Sequence, residues 1–138
     1  MRHVVFRIER ERYALPLAAV REVVVAPETL VPVPRSGPLV RGVMNLRGRV
    51  VPVVDLAAVL AVKSASPMPK IVLLDRGRRD LGLLVSEVEG IESLEKMTTA
   101  GHAAPAFVRG LARLGALALT VLDPDSLDAA VAQRVASR

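Results

Sequence analysis

Leu39-Val-Arg-Gly-Val-Met-Asn-Leu46 and Phe107-Val-Arg-Gly-Leu-Ala-Arg-Leu114 share one pattern at an offset of 68 residues. The register continues without a gap through Val53/Val121, Val54/Leu122 and Asp55/Asp123. It also runs back through Val4/Val72, Phe6/Leu74, Tyr13/Leu81, Ala14/Gly82, Leu15/Leu83, Leu17/Val85 and Val20/Val88. In a chain with 23 Val and 19 Leu the aliphatic matches alone say little. The Val-Arg-Gly identities and the Asp pair carry the inference of an internal duplication. The seam falls near Ser64-Ala-Ser-Pro-Met-Pro69, whose small residues and two prolines read as a connector.

Within each unit the pattern is strand-like. Val4, Phe6 and Ile8 alternate with His3, Val5 and Arg7. Glu9 to Arg12 then supplies a polar turn, and Tyr13, Leu15 and Leu17 alternate again, which predicts a hairpin. The second unit repeats this as Ile71 to Leu74, a turn over Asp75 to Arg79, and Leu81 to Val85. Pro32, Pro34 and Pro38 keep their stretch out of helices and central strands and predict an extended loop. Arg49 to Val54 reads as a strand whose Pro52 belongs on an edge or at a bulge. Asp55 stands before Leu-Ala-Ala-Val-Leu as a helix N-cap, and Asp123 leads into a C-terminal helix over Ala129 to Ala136. Short strands with Gly/Pro punctuation, repeated twice, predict a mainly β protein of two small barrels packed together.

Composition narrows the function classes. The 138 residues are 51% hydrophobic and 24% charged, enough apolar surface for a packed core. No stretch free of charge approaches the roughly 18 residues that cross a bilayer. The N-terminus is interrupted by charge at once, so a cytoplasmic location without membrane insertion is the expectation. With no Cys there is no disulfide, thiol nucleophile or thiolate metal site. The net charge of +5 is accounted for by the first fifty residues, with nine Arg against four Glu, and suggests nucleic acid or an acidic protein surface as partner. Phe6, Tyr13 and Phe107 are the only aromatics, too few for base-stacking platforms, which disfavours a nucleic-acid-binding barrel.

Chemical motifs are sparse. Asp55 and Asp123 are paired by the repeat, but capping is the simpler role. His3 and His102 each stand without a second ligand at metal spacing, and no Gly-rich phosphate loop precedes a long helix. Ser64, Ser66 and Ser86 have no base nearby in sequence. No catalytic residue, metal or cofactor is expected. Gly42 and Gly48 bracket a strand-like stretch and fit turn or bulge geometry. Asn45 and Arg47 flank Leu46 on an alternating strand and are expected to point away from the core.

Three segments together resemble the CheW-like family of chemotaxis adaptors. They are Tyr13-Ala-Leu-Pro-Leu-Ala-Ala-Val-Arg-Glu-Val23, Val40-Arg-Gly-Val-Met-Asn-Leu-Arg-Gly-Arg-Val-Val-Pro-Val-Val-Asp-Leu56 and Gly82-Leu-Leu-Val-Ser-Glu-Val88. The resemblance runs from Val4 to about Leu127. It implies a single CheW-like domain over 1–138, built of two five-stranded SH3-like β-barrels, about 1–66 and 67–138, with room for the termini to cross between them. It also implies a non-catalytic scaffold coupling the cytoplasmic tip of methyl-accepting chemoreceptors to the regulatory domain of a chemotaxis histidine kinase. The alternative is a paralogue that binds receptors but not the kinase. By the same resemblance the receptor-binding residues are Val20, Glu22, Gly42, Asn45, Arg47, Gly48 and Val88, with Gly42 shaping the adjoining turn. Three departures lie in the second unit: Ser86 where the family commonly has Asp, a short stretch between Leu94 and Phe107, and Leu114-Gly-Ala-Leu-Ala118 in place of a polar hairpin.

Overall fold

A computed structural model describes residues 1–34, 37–64, 67–77 and 80–136. Part of the expected connector (65–66), the Arg78-Arg79 tip of the second hairpin and Arg35-Ser36 lie outside the described residues. The fold is mainly β. The first unit comprises β1 (Arg2–Ile8), β2 (Glu11–Pro16), a 3-10 turn (Leu17–Ala19), β3 (Val20–Val25), β4 (Val40–Leu46), β5 (Arg49–Asp55) and α1 (Leu56–Leu60). The second comprises β6 (Lys70–Asp75), β7 (Asp80–Val85), β8 (Glu87–Ser93), β9 (Met97–Thr99), β10 (Val108–Leu114), β11 (Leu117–Leu122) and α2 (Pro124–Ala136). An offset of 68 carries the start of each first-unit strand and of α1 to within one residue of its counterpart.

The two sheets do not divide at the seam. One has the order β8-β1-β2-β11-β10-β9 and the other β3-β6-β7-β5-β4. Each sheet takes its hairpin from one unit and its third, fourth and fifth repeat strands from the other. The halves 1–66 and 67–138 are therefore halves of the sequence and not of the sheets. Neither sheet closes through a ladder among the described residues, and the six-stranded one carries β9 as an addition to the repeat pattern.

This exchange explains the burial. Phe6, Ile8, Leu15, Val72, Leu74, Leu83 and Val85 enter a central cluster shared by both sheets, with Leu122 from the end of β11 and Leu56 and Leu127 from the first turns of the helices. The opposite faces of the same hairpins fill two separate clusters, Val5 and Ala14 with Leu119 and Val121, and Ile71 and Leu73 with Val51 and Val53. The alternation read over residues 3–8 understates this, because His3 and Val5 are buried as well. Strands covered on both faces lose the in/out period. Phe6 and Tyr13 stack within the central cluster at 6.0 Å between ring centroids.

The Arg-Gly and Asp of the repeat each have a structural task. β4 and β10 are bulged at Arg41 and Arg109, and those arginines reach Asp55 (3.5 Å) and Asp123. The two carboxylates cap the helices that follow, accepting from the amides of Ala57 (3.1 Å) and Ser126 (2.9 Å). Burial pushes the Asp123 pKa up, but the Ser126 amide and the Arg109 guanidinium hold it below the ordinary carboxylate value. The glycine after each bulge admits a passing strand. A Cβ on Gly42 (φ 143°) meets the Val31 carbonyl oxygen at 2.6 Å, and one on Gly110 strikes the Thr98 carbonyl oxygen. Gly42 thus follows the bulge, one of the two geometries expected of it, and its missing Cβ makes room for the Val31–Val43 bridge. Pro52 lies in an interior strand rather than on an edge. The parallel ladder from β5 to β7 begins only at Val53, so the missing Pro52 amide leaves no ladder bond broken on that side.

Two predictions follow from these contacts. Asp55→Ala removes the α1 cap and should cost about 1 kcal/mol in chemical denaturation, with the fold retained by circular dichroism. His3 is buried, and its ring Nδ1 donates to the Met1 carbonyl oxygen at 3.1 Å. Burial lowers its pKa and outweighs that hydrogen bond. The unfolded chain then takes up the proton first, so stability present above about pH 6.5 is lost as the pH falls below it. A denaturation series from pH 7.5 to 5 should show that decline, and His3→Gln should flatten it.

Candidate docking site

The turn between β4 and β5 is a two-residue loop, Arg47-Gly48, closed by the Leu46–Arg49 pair. Both loop residues have positive φ, 50° and 83°, the handedness that matches the twist of a hairpin. Asn45 fixes the loop by accepting the Gly48 amide on Oδ1 at 2.9 Å. An arginine in this left-handed conformation costs about 1 kcal/mol relative to glycine. The Arg47 side chain leaves the turn and donates through Nη2 to Glu22 Oε1 on β3.

β3 and β4 are the two edges of the five-stranded sheet, so the Glu22–Arg47 pair joins one edge to the hairpin at the other. The consecutive residues Arg21 and Glu22 go to different partners. Arg21 reaches Asp75 and Asp80, whereas Glu22 reaches Arg47. Between the edges lies a groove of about 240 Å³ lined by Val24, Val25, Val31, Val43, Asn45 and Leu46. Val25 is 70% exposed and Val31 62%, so the charged pair stands beside uncovered aliphatic surface.

Of the seven residues named from sequence, the structure brings Glu22, Asn45, Arg47 and Gly48 to one surface. Gly42 is buried three pairs further along β4, under Val31. Val20 and Val88, equivalent by the repeat, sit half-buried against the central cluster. Sequence reasoning passed over Val25 and Val31. Exposed valine on an edge strand carries no sequence signal distinct from a core valine, and only the end of β3 pairing at Lys70 leaves Val25 uncovered.

The sequence profile of the CheW-like domain matches residues 2–131. The chain belongs to the CheW-like domain family. It is 34% identical over 87 residues to a chemotaxis protein CheW of Thermotoga maritima and 37% identical over 91 residues to one of Rhizobium meliloti. These matches cover 62% and 64% of this chain, and in both cases they span 57% of the relative's length. A chemotaxis protein CheW of Klebsiella aerogenes is 26% identical over 136 residues, covering 90% of this chain and 79% of the relative. Among solved structures, the scaffolding protein TtCheW of Thermoanaerobacter tengcongensis superposes with a TM-score of 0.80 at 23% identity, covering 88% of this chain and 83% of that one. That likeness establishes the CheW fold for the exchanged pair of sheets.

Both partners of the Glu22–Arg47 pair are solvated, Arg47 at 68% side-chain exposure, which limits the pair to about 1 kcal/mol at most. Arg47→Gly relieves the left-handed strain while losing the pair. Its midpoint in thermal unfolding should stay within a few degrees of the parent or rise.

Proposed function

We propose that this CheW-like domain is a non-catalytic adaptor in the cytoplasm, coupling the tip of a methyl-accepting chemoreceptor to the regulatory domain of a chemotaxis histidine kinase. The observation that carries the reading is the family match over residues 2–131. The receptor contact uses Glu22, Asn45, Arg47 and Gly48 as its polar part. Val20, Gly42 and Val88 hold the surrounding backbone in place. A receptor tip is helical, and a helix docks by apolar anchors with charges fixing its register. The uncovered Val25 and Val31, in the groove that Asn45 and Leu46 also line, are anchors of that kind, and the Glu22–Arg47 pair supplies the charge.

Energetics support a recognition role for the pair. Arg47 occupies a conformation that glycine adopts more cheaply, and its ion pair returns little stability at the surface. A residue that breaks a local preference without a gain in stability is best explained by what it binds.

The test is a pull-down at moderate salt with a receptor-tip fragment and a kinase regulatory domain, offered separately. Capture of both is expected. Glu22→Ala and Arg47→Ala should weaken receptor capture at least tenfold while leaving the unfolding midpoint nearly unchanged. Capture of neither partner by the parent protein overturns the adaptor reading. Capture of the receptor alone replaces it with a paralogue that does not engage the kinase.

A further inference from the structure

The third repeat strand of each unit is bulged at equivalent residues, Arg21 on β3 and Glu89 on β8. Each bulged side chain grips the hairpin received from the other unit. Arg21 binds Asp75 through Nη2 and Asp80 through Nε, both at 2.8 Å. Glu89 accepts from Arg12 Nε at 2.6 Å and pairs with Arg7 at 3.7 Å. Asp75 and Asp80 occupy the repeat positions of Arg7 and Arg12. The two clamps are thus the same contact with every charge reversed.

We propose that these opposite clamps form a pairing code that sorts the hairpins, so that each bulged strand accepts the hairpin of the other unit and rejects that of its own kind. The competitor is exchange between two copies of the chain, first unit with first unit and second with second. The matching aliphatic registers of the two units make that exchange compatible with the core. It would set Arg21 of one copy against Arg7 and Arg12 of the other, and Glu89 against Asp75 and Asp80. Like charges placed face to face are a common device for excluding a wrong partner. Asp80 is almost fully buried, so its mismatch cannot be relieved by swinging into solvent. Arg49 also reaches Asp80, at 3.4 Å, and reinforces that clamp.

The experiment uses the full chain and reads two quantities: the thermal midpoint, and the fraction of dimer after refolding at high protein concentration, measured by size-exclusion chromatography with light scattering. Glu89→Arg alone should lower the midpoint by about 5 °C. Combining it with Arg7→Asp and Arg12→Asp rebuilds the clamp with its sign reversed, which should restore the midpoint to within a few degrees. In that triple variant the two clamps carry the same sign, so like-with-like exchange is no longer penalised. Its refolded dimer fraction should exceed the parent's several-fold. If the triple variant recovers stability but refolds to monomer as cleanly as the parent, the clamps stabilise without sorting and the proposal fails. If Glu89→Arg leaves the midpoint unchanged, or the triple variant does not recover it, the clamp is not the contact described and the proposal fails as well.

Discussion

Two short connections determine the architecture. β3 runs antiparallel to the first strand of the hairpin it joins, and therefore in the same sense as the second. To join its own hairpin that way, the chain would have to travel back along β2, roughly 20 Å for six residues at about 3.3 Å each. The 3-10 turn Leu17–Ala19 spans at most about 11 Å, and between β7 and β8 there is only Ser86. Each hairpin must therefore lie in the other unit's sheet. The central cluster is a consequence, because a chain that crosses from one sheet to the other after each hairpin draws both sheets around it.

Once exchange is imposed, the other repeated features have assigned tasks. The bulges at Arg41 and Arg109 turn a guanidinium toward the helix cap, tying strand, carboxylate and helix N-terminus together in each unit. The glycines that follow leave room for Val31 and for β9 to close on the edge of each sheet. Three of the four identities that revealed the duplication have specific polar or steric partners: a bulge arginine with a carboxylate acceptor, a glycine under a backbone carbonyl, and a capping aspartate. Aliphatic positions need only volume and hydrophobicity, so Leu39 and Phe107 can differ at equivalent places.

Much of this was legible beforehand. The period-2 alternation and the repeat marked both hairpins and the strand over Arg49 to Val54, and Asp55 marked the start of α1. β3, β8 and β9 carried no assignment, and α2 begins at Pro124, ahead of the expected Ala129. Asn45 and Arg47 are exposed as expected, Asn45 on β4 and Arg47 in the turn beyond the strand's end at Leu46 rather than on the strand. What the repeat could not reveal was which hairpin belongs to which sheet, since equivalent positions satisfy either arrangement. The signal that decides it lay in connection length: Tyr13 to Val25 runs from strand to strand with no turn residue that reverses the chain. Pro52 was assigned to an edge or bulge because its missing donor is costly within a ladder. The ladder that would need that donor begins one residue later. Gly42 fits the bulge geometry expected of it, and what bars a side chain there is the carbonyl of Val31, a contact no local pattern encodes.

The duplication is faithful in the core and broken at the surface that carries the Glu22–Arg47 pair. The repeat equivalents of Glu22 and Arg47 are Gly90 and Gly115, neither with a side chain to form a pair, and Gly48 is matched by Ala116. Gly115 has φ 61° and Ala116 does not share the positive φ of Gly48, so the second turn is of a different type. Asn45, which locks the first turn, is matched by Arg113, which cannot accept an amide proton. Two nearly equivalent sheets therefore present one charged, turn-locked surface between them. The central cluster is common to both sheets, so the asymmetry arises at the surface alone: Gly90, Gly115 and Arg113 confine the ion pair and the locked turn to the sheet that carries β3, β4 and β5.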